Sequence, residues 1–355
     1  MKIISFILLL SLFLSACTTL TPEIQSAEEF VVAPESQIPW PTNNWLESTP
    51  EEQGLDPDLL QDLRTAVEDQ DLPVHSLLVI RHGAIVLEHY YSPYEQKTTH
   101  VLYSVTKSFI STLIGIAVDK GYIASLDHPV LNYFPGSTFE NADPRKEAMT
   151  LRDLLTMTSG LDWDEGMPGY QGITMRGSKY ALDLPMVADP GSEFLYCSGC
   201  SHILSSVLEQ AAGQSTVDFA QENLFKPLGI KKPSWEMDAE GTAIGGWGLY
   251  LTPRDMAKLG YLFLHQGQWE GEQIVSSGWV SEAVSPQVSI DPGVSYGYQW
   301  WVFPDQAAYA AQGMEGQKIF VFPSHDLIVV ATAGFSGDDP LLDLVMEYVI
   351  PALRD

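Results

Sequence analysis

Apolar and polar positions alternate along this chain in several distinct ways, and each predicts a different element. Ile3 to Leu14 is an unbroken apolar run of twelve residues, too short to cross a bilayer as a helix. Residues 18–50 follow no period and are rich in Pro, Ser, Thr and Glu, the composition of a tether. From Asp56-Pro57 the period becomes helical, with Leu59, Leu60, Leu63 and Val67 on one face. Ser76–His82 and Ala84–Tyr91 read as strands turning at Gly83. Ser104 to Lys120 reads as a strongly apolar helix closed by Gly121.

Further on, residues 122–240 mix short helices with Gly/Pro loops, Ser201–Ala212 being the clearest helix. This stretch is predicted to be a mainly helical lobe within a domain of residues 51–355. Thr252-Pro-Arg-Asp255 has the spacing of a capped helix start. Tyr296–Phe303, Gln317–Phe322 and Leu327–Ala333 are predicted strands, the last two joined around Ser324-His325, and Asp339-Pro340 opens a terminal helix. Strands at both ends with helices between them predict an α+β fold whose sheet joins distant parts of the chain.

Charge narrows the partners. Aspartate and glutamate number 46 against 18 lysines and arginines, a net charge of −28. Nucleic-acid binding rests on phosphate neutralisation by Lys and Arg, so that class is excluded.

The apolar run follows the basic start Met1-Lys2 and ends in Leu14-Ser15-Ala16-Cys17, which resembles a bacterial lipobox. The resemblance implies a lipoprotein signal peptide over 1–16, a diacylglycerol on Cys17, and a tether over 17–50. The protein is then expected to be exported and lipid-anchored to a bacterial membrane, on its extracytoplasmic face or in the periplasm. An ordinary secretory signal with an incidental Cys17 is the alternative. Cys197 and Cys200 allow a disulfide or, with His202, a metal site. Structural-zinc spacing is missing, and the reading favoured is two small buried thiols beside a helix start.

Ser104-Val-Thr-Lys107 is the only Ser-x-x-Lys in the chain. Residues three apart share a helix face, so the lysine can reach the hydroxyl. A serine becomes a useful nucleophile when a neighbouring base takes its proton, and a lysine is such a base only when its pKa is lowered. Val105, Phe109, Ile110 and Ile114 supply apolar surroundings. Two more segments attract attention. Pro190 to Ser198 sets a phenol and a hydroxyl at a turn, and Gly313-Met-Glu-Gly-Gln317 offers backbone amides before a strand.

By itself Ser-x-x-Lys is a weak pattern, but together these segments resemble the serine beta-lactamase and penicillin-binding-protein superfamily, which carries that signature. Tyr103 to Ser108, Leu154 to Trp163, the Tyr196-x-Ser198 turn and the Gly313-x-x-Gly-Gln317 element are similar to the class C-like branch of 6-aminohexanoate-oligomer hydrolases and related esterases. The resemblance spans about residues 45–355 and implies a beta-lactamase/transpeptidase-like fold, an antiparallel sheet flanked by helices plus the helical lobe. It also implies Ser104 as nucleophile, Lys107 as proton acceptor and Tyr196 as the group serving the leaving group. The amides of Ser104 and Met314 would form the oxyanion hole, with Ser198, Gly313 and Gln317 at the substrate. No metal or organic cofactor is implied.

Asp162, Asp164 and Glu165 read as solvated acids, one of which could meet a substrate amine. Trp300 and Trp301 fall on opposite strand faces, one for the core and one for the cleft. The expected activity is serine hydrolysis of a small ester or amide. A D-Ala-D-Ala peptidase, a beta-lactamase and a non-catalytic envelope-binding lipoprotein are the alternatives. No Lys-Thr-Gly lies between Tyr296 and Gln317, which counts against penicillin recognition.

Overall fold

The computed structural model describes residues 40–354. Cys17 and the expected signal peptide lie outside the described residues. Among the described residues the main sheet has nine strands. In chain order these are β1 (Leu46–Glu47), β2 (Val74–Arg81), β3 (Ala84–Tyr90), β4 (Val288–Asp291), β5 (Val294–Tyr296), β6 (Trp301–Phe303), β7 (Ala308–Gly313), β8 (Gln317–Phe322) and β9 (Leu327–Ala333). Their spatial order is β1-β3-β2-β9-β8-β7-β6-β5-β4. All neighbours run antiparallel except β1, which pairs parallel to β3 through Leu46↔Ala84 and Glu47↔Ile85. N-terminal strands β2 and β3 thus join C-terminal β9, as the α+β reading expects.

Side chains alternate across each strand, and both faces are covered. On β8, Ile319 and Val321 join a core shared with helices α2 (Val105–Asp119), α4 (Ser198–Ala212) and α5 (Pro253–Leu264), to which Ile173 of α3 (Met167–Arg176) also belongs. Phe320 and Phe322 point the other way, toward α1 (Pro57–Asp69) and the terminal α6 (Leu341–Leu344). Helix α2 is buried from Val105 to Ala117. Sheet and helical lobe therefore share one core around the helix that begins at Ser104.

Three sequence expectations are corrected. The tether does not run to residue 50. Trp45 is buried, its Nε1 donates to the Arg254 carbonyl at 3.0 Å, and Trp40 packs edge-on against Tyr261. Isolated aromatic anchors hold this strap without any period to betray it. Tyr296–Phe303 is a hairpin rather than one strand. Gly297 N–H donates to Trp300 O at 2.8 Å, and Gln299 takes φ 63° in the turn. That turn is buried, and Gln299 is satisfied by the Leu154 and Leu155 carbonyls and Ser201 Oγ, so polar punctuation is missing from it. Cys197 and Cys200 form a disulfide rather than two free thiols. Cys197 is the N-cap of α4, and one helical turn brings Cys200 back to it, a cap that hydrophobic periodicity starting at Ser201 does not reveal.

Candidate active site

The chain reaches Ser104 through a sharp turn. Tyr103 takes φ 45°, a left-handed conformation that costs a non-glycine residue about 1–2 kcal/mol. It lifts Ser104 to the start of α2, so that Lys107 stands one turn further along the same face. Lys107 Nζ lies 2.7 Å from Ser104 Oγ, 2.8 Å from Ser198 Oγ and 2.8 Å from the Gly246 carbonyl oxygen. Burial pushes the Lys107 ammonium down to about 8, against the opposing pull of the Glu165 carboxylate.

Two glycine approaches make this geometry. A Cβ on Gly246 would stand 2.7 Å from the Ser198 carbonyl oxygen, so only glycine lets that loop close on α4 and bring its own carbonyl to Lys107. A Cβ on Gly313 would lie 2.3 Å from the Leu102 carbonyl oxygen and 3.2 Å from the Ser104 amide nitrogen. Strand β7 therefore passes directly beside Ser104, with Met314 next in line at the cavity.

Tyr196 joins the group from the other lobe. Lys107 Nζ sits 4.8 Å from its ring centroid. Burial raises the Tyr196 hydroxyl well above the ordinary phenol range, while a hydrogen bond with Ser104 pulls the other way. Trp301 stacks on it at 5.9 Å and lines the cavity, whereas Trp300 is fully buried in the core. The division of core and cleft between the two tryptophans is as the sequence predicts, although Trp300 sits in the hairpin turn and only Trp301 is on a strand.

One residue taken for a solvated acid belongs to the site. Glu165 accepts from the Ser198 amide at 3.0 Å, from the Ser198 hydroxyl, from Trp163 Nε1 and from the Tyr170 hydroxyl at 3.2 Å. The Ser198 hydrogen is thereby given to Glu165, so the Ser198 oxygen accepts from Lys107. The Gly246 carbonyl can only accept. With two N–H groups used in this way, a neutral Lys107 turns its lone pair to Ser104.

Gln317, expected at the substrate, does not line the cavity beside Ser104. It shares parity with Ile319 and Val321, is buried, and donates to Ala333 O at 2.8 Å and Met314 O at 3.4 Å. Its side chain fixes the β7–β8 turn. Lys318, on the opposite parity, faces the cavity instead, paired with Asp339 at 2.9 Å and bonded to Gln312 Oε1 at 2.8 Å. The cavity of about 610 Å³ also carries Glu165, Glu315, Asp338 and Asp343, an acidic wall beside Ser104 and Tyr196.

Fold and site together define a class. The family model for Beta-lactamase matches residues 59–343, and the chain belongs to that family. It is 26% identical over 311 residues to 6-aminohexanoate-dimer hydrolase of Paenarthrobacter ureafaciens, covering 80% of this chain and 76% of that protein. To esterase EstB of Burkholderia gladioli it is 29% identical over 201 residues, 47% of this chain and 49% of that one. The solved structure of EstCE1, a hydrolase with promiscuous acyltransferase activity, superposes with TM-score 0.71 at 19% identity, covering 84% of this chain and 98% of that chain. Fold and family are those of beta-lactamase-type hydrolases whose members include amidases and esterases.

Proposed function

We propose that this protein is a serine hydrolase that cleaves small esters or amides through an acyl-enzyme at Ser104. The observation that carries this reading is the placing of Lys107 Nζ within 2.8 Å of three oxygens, those of Ser104, Ser198 and Gly246. Ser198 Oγ and the Gly246 carbonyl can only accept from it, so once Lys107 is a neutral amine its lone pair is left for the Ser104 proton. In this mechanism Ser104 Oγ attacks the substrate carbonyl carbon as its proton passes to Lys107. The amides of Ser104 and Met314 receive the developing oxyanion. The proton moves through Tyr196 to the leaving oxygen or nitrogen as that bond breaks. Water then attacks the acyl carbon, gives its proton back through Tyr196 and Lys107, and frees Ser104.

Ser198 is a positioning residue, keeping Lys107 aimed. The test is a panel of p-nitrophenyl esters, anilides, β-lactams and a D-Ala-D-Ala peptide. Ser104-dependent turnover is expected for the first two. Turnover restricted to the peptide would instead make the protein a D-Ala-D-Ala peptidase. Binding without turnover would make it an envelope-binding protein.

The N-terminal reading enters as a second part of the proposal. We propose export and lipidation at Cys17, supported by the Leu14-Ser15-Ala16-Cys17 ending of the apolar run. Residues between Cys17 and Trp40 then separate the hydrolase body from the membrane surface.

A further inference from the structure

A second hollow, of about 260 Å³, opens on the same nucleophile. Tyr103, Tyr170, Trp247 and Met314 wall it, and Ser104, Ser198 and Gly246 complete it. Three aromatic rings and a thioether make it a carbon-lined slot. It differs sharply from the larger cavity, which shares Ser104, Tyr170 and Met314 but adds Tyr196 and the acidic wall. The walls of the slot are braced. Trp247 packs edge-on against Tyr170 with ring centroids 4.8 Å apart, and the Tyr170 hydroxyl is tied to Glu165 at 3.2 Å.

A scissile bond at Ser104 must send its two halves in different directions. Tyr196 lines the larger cavity and is not among the residues of the slot. The half that takes a proton from Tyr196 therefore lies in the larger, acidic cavity, and the acyl half is left for the slot. We infer that the Tyr103–Tyr170–Trp247–Met314 slot is the acyl subsite, and that the substrates are esters or amides of uncharged apolar carboxylic acids with polar leaving groups. This rests on the serine-hydrolase reading and adds to it the polarity of each half of the substrate. A leaving group that is cationic or neutral in the bound substrate suits the carboxylate-lined side, and one that already carries a negative charge there does not.

Filling a carbon-lined slot rewards each added methylene by roughly fourfold until the far wall is met. A braced wall then penalises the next carbon. Wild type should accordingly show kcat/KM rising and then falling across p-nitrophenyl esters from acetate to decanoate. Trp247→Ala removes one wall, and the octanoate-to-acetate ratio should rise at least tenfold. Trp247→Phe keeps an aromatic wall of smaller size, should fold where the alanine variant does not, and should move the ratio in the same direction by less. A ratio within one variant is insensitive to loss of folded enzyme. An unmoved ratio in the folded variants, with Ser104 still labelled by a fluorophosphonate, would overturn the subsite and leave the hydrolase reading standing. So would a Trp247 effect seen when the alcohol is lengthened at constant acetyl group, since that assigns the slot to the leaving group. No Ser104 labelling and no ester turnover in wild type would instead bring down the hydrolase reading, and the subsite with it.

Discussion

Glu165 holds Ser198 at two points, accepting from its amide at 3.0 Å and from its hydroxyl. Ser198 in turn accepts from Lys107 at 2.8 Å, so a carboxylate reaches the Lys107 amine through a single hydroxyl. That negative charge favours the ammonium, while burial of Lys107 favours the neutral amine and pushes the ammonium down to about 8.

The consequence is a pH profile with a defined sign. If neutral Lys107 is the base, kcat/KM of the wild type rises with pH through about 8. Replacing Glu165 with Gln removes the charge that favours the ammonium, so the midpoint of that rise moves to lower pH. One amide oxygen also cannot accept from Ser198, Trp163 and Tyr170 together. Loss of charge-assisted bonds worth about 1.5–3 kcal/mol lowers plateau kcat by roughly ten- to a hundredfold. A pH–rate profile of Glu165→Gln reads both effects, and an unmoved midpoint would separate Glu165 from the base.

Tyr196 is expected to matter in proportion to how much the leaving group needs a proton. Tyr196→Phe should lose far less on p-nitrophenyl esters, whose leaving group departs as an anion, than on anilides or alkyl amides. Equal losses on both substrate types would take Tyr196 out of the proton path.

β-Lactams should be poor substrates. Strand β7 reads Ala308-Tyr-Ala-Ala-Gln-Gly313, with no Lys-Thr-Gly to receive a carboxylate. Among the described residues, Lys318 is the one cation lining the large cavity, and Asp339 already holds it at 2.9 Å. A missing charged contact in a desolvated site costs roughly two orders of magnitude or more. Matched assays with a chromogenic cephalosporin and a p-nitrophenyl ester decide this, and faster Ser104-dependent cephalosporin turnover would make the protein a beta-lactamase in activity.

Lipidation at Cys17 gives a simple fractionation result. Wild type should partition with membranes and carry a diacylglyceryl mass at Cys17, while Cys17→Ser should appear as soluble protein or as uncleaved precursor. A wild type that is soluble and begins at another residue contradicts the assignment.

Much of this site was legible because its residues are close in sequence or sit at unusual turns. Ser104 and Lys107 are one helical turn apart, and the strands Gln317–Phe322 and Leu327–Ala333 match observed β8 and β9 residue for residue. Both are continuous apolar runs bounded by turn residues, where alternation and burial agree. Glu165 was not legible. It stands in an acidic stretch, and only tertiary contact with Ser198, 33 residues away, distinguishes it from a solvated carboxylate. The role of Gly246 was hidden for the same reason, since its value lies in a backbone approach to α4. Gln317 misled in the opposite way. It is one residue out of phase with Lys318, and a single step along a strand exchanges cavity for core. Strand β7 went unread because Ala-Tyr-Ala-Ala carries little β-branched signal, though it forms the wall beside Ser104.

The central claim is a covalent acyl-enzyme at Ser104 formed with Lys107 as base. Peptide-mapped intact mass after a fluorophosphonate probe tests it most directly. One phosphonyl adduct should form on the peptide containing Ser104, should be absent in Ser104→Ala, and should form at least a hundredfold more slowly in Lys107→Ala. An adduct on another residue, or ester turnover that survives Ser104→Ala, would contradict the account.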